Sequence, residues 1–179
     1  MEKPGQLDVK FQLIEGGIMP RYTYEGDAGL DCYARMEQDL VLLPCHWAYD
    51  EDRSRHRLER WCDERQLDPR QLQQAFIYAV PLGIAMELPQ GYEAQIRPRS
   101  GLSLQGLFCP NSPATIDSGY RGEVHFICAN LKAEPFVIRH ADRICQMLIL
   151  PVPRVNLIPS QQLTPSARGT RRFGSSGKE

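Results

Sequence analysis

Short strand-like runs, each cut off by Gly, Pro, Asn or Asp, fill most of this chain of 179 residues. Val9-Lys-Phe-Gln-Leu13 alternates apolar and polar with period two, and Asp39-Leu-Val-Leu-Leu43 does so more weakly. Tyr78–Ile84, Glu93–Arg97, Val124–Ala129, Phe136–Ile138 and Gln146–Pro151 read as further strands. Many short strands with closely spaced turn signals predict an all-β sandwich or barrel. The length suffices for one domain with a sizeable core.

Residues 45–76 break the pattern. Asp50–Gln66 is dense in charge and places Leu58, Trp61 and Cys62 at i, i+3, i+4 spacing, which predicts an amphipathic helix. Asp68-Pro69 then reads as an N-cap followed by Pro at the first helical position. Leu72 and Phe76 would stripe that second helix. The segment is either a helical hairpin packed on the β core or a surface for a protein partner.

With 21 basic and 22 acidic residues the net charge is −1. No global field favours nucleic acid or membrane, so any anion site must be local. Met1-Glu-Lys-Pro-Gly-Gln6 leads into no apolar stretch, and no run is long enough to span a bilayer. Six cysteines are widely spaced, without a C-x-x-C pair; Cys32, Cys128 and Cys145 sit among strand-like apolar residues and read as small core side chains, which fits a reducing cytoplasm. Cys45, His46, His56 and Cys62 lie close in sequence, but their spacing matches no familiar zinc pattern.

The chemistry concentrates in Asn111-Ser-Pro-Ala-Thr-Ile-Asp-Ser-Gly-Tyr-Arg-Gly-Glu-Val124. Asp117 precedes Tyr120 by three residues in a turn-rich stretch running into a strand. A carboxylate on a rigid hairpin can act as a general base. A ring beside it can wall a nucleoside pocket. Four more segments accompany it in order: Asp27-Ala-Gly-Leu-Asp-Cys-Tyr-Ala34, Pro98-Arg-Ser-Gly-Leu102, Ala141-Asp-Arg-Ile-Cys-Gln-Met147 and Arg168-Gly-Thr-Arg-Arg-Phe-Gly-Ser-Ser-Gly177. Together the five resemble the five motifs of trimeric dUTPases, the enzymes that cleave dUTP to dUMP and pyrophosphate. They span most of the chain outside the 45–76 segment.

The resemblance implies a jelly-roll-like subunit of a homotrimer with shared active sites. Asp117 matches the base that deprotonates the attacking water. Gln146 matches a side chain reaching that water and the α-phosphate. Arg99, Ser100 and Gly101 match phosphate donors, and Arg168 an arginine finger. Gly174, Ser175 and Ser176 would add amide and hydroxyl donors. Mg²⁺ would be held mainly by the phosphates, with Asp31 touching it through water. Asn111, Thr115, Ile116 and His125 match the uracil-reading hairpin. Tyr120 matches the ring that packs on deoxyribose, and Phe173 the ring that closes over uracil. Such an enzyme limits uracil in DNA and supplies dUMP for thymidylate synthesis.

The chain departs from the family pattern at Ala114, Ala141, Arg171 and Arg172, where glycines are usual. A glycine position that needs positive φ would strain any other residue. The layout expected is one β domain over 1–159, interrupted at 45–76, and a flexible phosphate-clamping arm over 160–179. The arm's arginines lack interleaved aromatic platforms, so direct nucleic-acid binding is not expected. Two other functions stay open: a dCTP deaminase of similar fold, and a dUTPase-like regulatory protein that docks a partner through 45–76.

Overall fold

The computed structural model describes residues 7–171. Among the described residues there are twelve strands: β1 (Lys10–Leu13), β2 (Leu30–Tyr33), β3 (Leu40–Leu42), β4 (Gln73–Ala75), β5 (Ile77–Pro81), β6 (Ile84–Glu87), β7 (Tyr92–Pro98), β8 (Leu107–Phe108), β9 (Ala114–Ile116), β10 (His125–Asn130), β11 (Phe136–Ile138) and β12 (Arg143–Pro151). Two α-helices join them, α1 (Glu51–Asp63) and α2 (Ser100–Leu104). The strands form sheets ordered β2-β12-β7-β9, β5-β10-β8, β11-β3-β4 and β1-β6. Every strand pair is antiparallel except β3 with β4. Residues of these sheets meet in a main apolar core that includes Phe126, Leu82, Ile84, Ile96, Leu107, Ile138, Ile144 and Met147. This is the all-β, jelly-roll-like architecture with a short helical excursion that the sequence predicts.

The run over Tyr78–Ile84, expected as one strand, is two. β5 ends at Pro81 and β6 starts at Ile84, with Gly83 between them at φ +67°. A Cβ at Gly83 would lie 2.4 Å from the Gly17 Cα, so only glycine fits this crossing. The break lets β5 pair with β10 while β6 turns to pair with β1.

Asp50 caps α1, its side chain accepting from the Arg53 amide. Leu58, Trp61 and Cys62 are buried on one face, as their spacing requires. They pack with Trp47, Val41 and Leu43 in a second, smaller core. The second helix expected after Asp68 stops after one 3-10 turn, Pro69–Gln71. Asp68 does cap it and Pro69 does start it, but the chain then becomes β4 and pairs with β3. Leu72 and Phe76 are spaced i, i+4, which suits a strand face as well as a helix face. Pairing with β3 decides between them, and both residues pack on the Trp47–Trp61 core.

Cys45, His46, His56 and Cys62 do not converge: among the described residues no group of three His, Cys, Asp or Glu side chains is placed to hold a metal ion. All six cysteines are free thiols and five are buried. Burial pushes Cys128 up to about 12, which keeps it an inert thiol. Among the described residues no helix is long and apolar enough to cross a membrane.

Candidate active site

The turn-rich hairpin folds into the wall of a cavity of about 250 Å³. Asn111, Ala114, Thr115, Ile116, Asp117 and Tyr120 line it from one side, and Ala79, Glu123, His125 and Ile127 from the other. The strand period explains the second wall. β10 and β5 put His125 and Ile127 opposite Pro81 and Ala79 on the cavity face, and turn Phe126 and Val80 into the core. β9 holds the first wall by pairing Ile116, Thr115 and Ala114 with Ala94, Gln95 and Ile96 of β7.

Hydrogen bonds fix the polar groups. The Tyr120 amide donates to the Asp117 carbonyl, 3.0 Å away, which closes the turn. The Tyr120 hydroxyl donates to the Glu123 carbonyl at 2.9 Å. The same carbonyl lies 2.9 Å from His125 Nδ1. A carbonyl only accepts, so Nδ1 carries the proton of this contact. Asp117 is exposed at the cavity, where its carboxylate can accept a proton from a water.

A second group gathers around Asp31, which is 4 % exposed. Its Oδ2 accepts from the Thr23 hydroxyl at 2.8 Å and from Arg143 Nη1 at 3.2 Å. Its Oδ1 lies 3.3 Å from Arg99 Nε, an ion pair without hydrogen-bond alignment, and is buried with no hydrogen-bond partner. Burial draws the Asp31 carboxyl upward, but the Thr23 hydroxyl and the two guanidiniums outweigh it and hold the group below the ordinary range. Gln146 faces Asp31 across β12 and β2, and faces Arg97 across β12 and β7. Arg99 also donates to the Arg143 carbonyl at 3.1 Å. Ser100 and Gly101 open the one-turn helix α2, and a Cβ on Gly101 would meet no atom within 4 Å. Backbone and hydroxyl there are open to a ligand.

Within one chain the two groups remain apart. Arg99, Ser100 and Gln146 do not line the hairpin cavity, and neither does Arg168. The segment 152–171 runs exposed along its length and ends in a turn in which the Gly169 amide donates to the Ser166 carbonyl at 3.0 Å. Arg171 folds its guanidinium onto the Ala167 and Arg168 carbonyls. Arg172, Phe173, Gly174, Ser175 and Ser176 lie outside the described residues.

Three departures from the glycine pattern now have a geometry. Ala114 sits in β9, buried, without positive φ. Arg171 has no positive φ either. Ala141 does, at +67°, in the turn before β12, and a side chain there is strained. Several participants carried no sequence signal. Thr23 and Ala79 are ordinary residues in their runs. Arg143 stands inside a recognised segment, yet only folding shows that it grips Asp31.

A larger cavity, about 400 Å³, opens between α1 and residues 133–135. Trp47 and Trp61 line it with Arg57, Arg60, Glu64 and Glu134. It contains none of the five segments, and its charges balance, so the smaller cavity is the better candidate for chemistry.

The dUTPase family model matches residues 69–177. The deoxyuridine 5'-triphosphate nucleotidohydrolase of Chlamydia caviae is 37 % identical over 177 residues, covering 97 % of this chain and 100 % of that one. Its Chlamydia felis counterpart is 37 % identical over 171 residues, covering 93 % and 96 %. Among solved structures, a variant dUTPase of phage 80alpha superposes with a TM-score of 0.71 at 20 % identity, covering 94 % of this chain and 98 % of that one. A variant dUTPase of phage phi11 of S. aureus, described with a structural Mg(II) ion, gives 0.65 at 17 % identity, covering 88 % and 99 %.

Proposed function

The chain belongs to the dUTPase family, and from that premise we propose that its hairpin cavity receives the deoxyuridine of dUTP for hydrolysis to dUMP and pyrophosphate. The observation that carries this is the convergence of Asn111, Thr115, Asp117, Tyr120 and His125 on one small cavity. At about 250 Å³ it lies just under the range of roughly 300–1,000 Å³ usual for drug-sized ligands. It suits one nucleoside, with the phosphates outside.

Asp117 takes the proton of a water that attacks the α-phosphorus. The bond from that phosphorus to the α,β-bridging oxygen breaks, and pyrophosphate leaves with the electron pair. Gln146 orients the water. Arg99, Ser100 and Gly101 contact phosphate, and Arg168 stabilises the charge that builds on the leaving group. Backbone groups of 114–116, with Asn111 and His125, read the uracil edge. Tyr120 packs on the deoxyribose and leaves no room for a 2′-hydroxyl. Phe173, Gly174, Ser175 and Ser176 would cover base and phosphates from the arm. The reaction limits uracil in DNA and supplies dUMP for thymidylate synthesis.

The residues fit a magnesium ion held by the phosphates. The unpartnered Asp31 Oδ1 can accept from a water of that ion, whereas two guanidiniums already neutralise the carboxylate against direct ligation. Bound so, Mg²⁺ would offset phosphate charge.

A homotrimer accounts for two observations. The Asp117 and Gln146 groups are apart within one chain, and neighbouring subunits would bring them together. Val155, Leu157, Ile158 and Leu163, in the stretch that follows β12, are each at least 76 % exposed, and a neighbouring subunit would cover them. Free, mostly buried thiols fit a reducing cytoplasm. The outward stripe Arg53, His56, Arg57 and Arg60 favours a second, partner-docking role for 45–76.

Pure protein incubated with dUTP and with dCTP tests the reading. Pyrophosphate from dUTP alone is expected. Ammonia from dCTP, or no pyrophosphate from dUTP, would overturn it.

A further inference from the structure

We infer that Arg35 and Glu123 are positioning residues: a bidentate ion pair between them sets the wall of the hairpin cavity on which Tyr120 and His125 depend. The inference rests on the nucleotide-binding reading of that cavity, but its geometry stands by itself. Arg35 Nε donates to Glu123 Oε1 and Arg35 Nη2 to Glu123 Oε2, both at 2.9 Å. The Gly83 amide adds a third bond to Oε1 at 2.8 Å. Both side chains are mostly shielded, 22 % and 17 % exposed, so solvent screens the pair little. Two parallel N–H···O bonds fix orientation as well as distance.

Arg35 is itself held from several sides. Its amide donates to the Pro81 carbonyl at 2.8 Å. Its stem runs past Gly16 and Gly83, where added Cβ atoms would come within 3.6 Å of Cγ and 3.0 Å of Cδ. The guanidinium thus reaches Glu123 past Gly83, where a side chain would crowd it, from a backbone position two residues after the end of β2. On the far side, the Glu123 carbonyl is the one acceptor shared by the Tyr120 hydroxyl and His125 Nδ1. Moving the Glu123 backbone would therefore move both cavity groups at once. Glu123 also lines the cavity, so the pair couples β2, which carries Asp31, to the hairpin that carries Asp117.

The test uses Arg35→Gln and Glu123→Gln in the full-length protein. Glu123→Gln keeps the shape and an oxygen for the Gly83 amide, but turns an amide NH₂ toward the guanidinium. It serves if Arg35→Gln does not fold. Two readouts are taken: kcat and KM for dUTP, and amide hydrogen exchange over 117–125 without nucleotide. The expected result is a KM raised about tenfold or more, since misplacing a binding group by about 1 Å has effects of that order or larger. Exchange at 117–125 should accelerate while β12 stays protected. A lower kcat at unchanged KM and unchanged hairpin exchange would mean simple loss of folded protein and would overturn the inference. So would wild-type values throughout. If the wild-type chain does not hydrolyse dUTP, the functional reading fails while exchange still judges the clamp: faster hairpin exchange sustains it and unchanged exchange refutes it.

Discussion

Tyr120 and Gly122 share one space: a Cβ at position 122 would lie 2.5 Å from the Tyr120 hydroxyl oxygen. The phenol folds back over the glycine to reach the Glu123 carbonyl, and any side chain at 122 must push it away. Gly122→Ala is therefore expected to free Tyr120, lower kcat/KM for dUTP, and let UTP compete better, because the ring no longer presses on the sugar. Rates on dUTP and UTP measure this. A wild-type ratio would remove Tyr120 from sugar discrimination.

Asp117→Asn keeps the shape of the turn and removes the proton acceptor. A loss in turnover of at least about 10²-fold is expected, within the range for a general base. Binding of a non-hydrolysable dUTP analogue, followed by calorimetry, should persist. Near-normal turnover would take the base role from Asp117.

Ala141 holds a left-handed backbone that glycine adopts freely. An L-residue there costs about 1–2 kcal/mol, and glycine's looser unfolded chain returns about 0.4–1 kcal/mol of that. Ala141→Gly should stabilise the fold by roughly 0.5–1 kcal/mol, visible as a higher urea midpoint at unchanged slope. A lower midpoint would show that the turn is not strained.

The 45–76 segment is more than an appendage. Trp47, Leu58 and Trp61 cover Val41 and Leu43 of the β3 region, and β4 extends the β3 sheet. Excising residues 46–75, which spares every family motif, would also uncover those side chains. Trp61→Ala is a cleaner probe. It should cost about 3–5 kcal/mol yet leave kcat/KM for dUTP near wild type at low temperature, since no candidate site residue touches it. A large kinetic loss in folded protein would tie the segment to chemistry.

Acid should loosen the molecule through Glu123 and Asp31. The Arg35 hydrogen bonds, helped by the Gly83 amide and by His125, hold Glu123 below its ordinary value of 4.5 against the pull of burial. Asp31 likewise titrates below 3.8. A carboxyl depressed on folding contributes stability that is complete above its unfolded value and is lost as pH falls through the native one. Unfolding free energy should thus decline below about pH 4.5, and less steeply in Glu123→Gln. Equal slopes in both proteins would dismiss the Glu123 contribution.

Local pattern was enough to read β1, β3, β7, β10, β11 and β12, the α1 face and the Asp117–Tyr120 turn, but not the short strands β2, β4, β8 and β9. Alternation selects a strand face, i, i+3, i+4 spacing selects a helix face, and Asp68 before Pro69 marks a cap. Those signals act between near neighbours, so they are written in sequence order. The tertiary structure decided what depends on distant partners. Leu72 and Phe76 fit either period, and only β3 made their segment a strand. Gly83 split one apolar run in two because Gly17 approaches it from far along the chain. Arg143 on Asp31, and Arg35 on Glu123, are separated by 112 and 88 residues. No spacing rule links such pairs, because packing of the whole sheet, not local backbone geometry, brings them within reach.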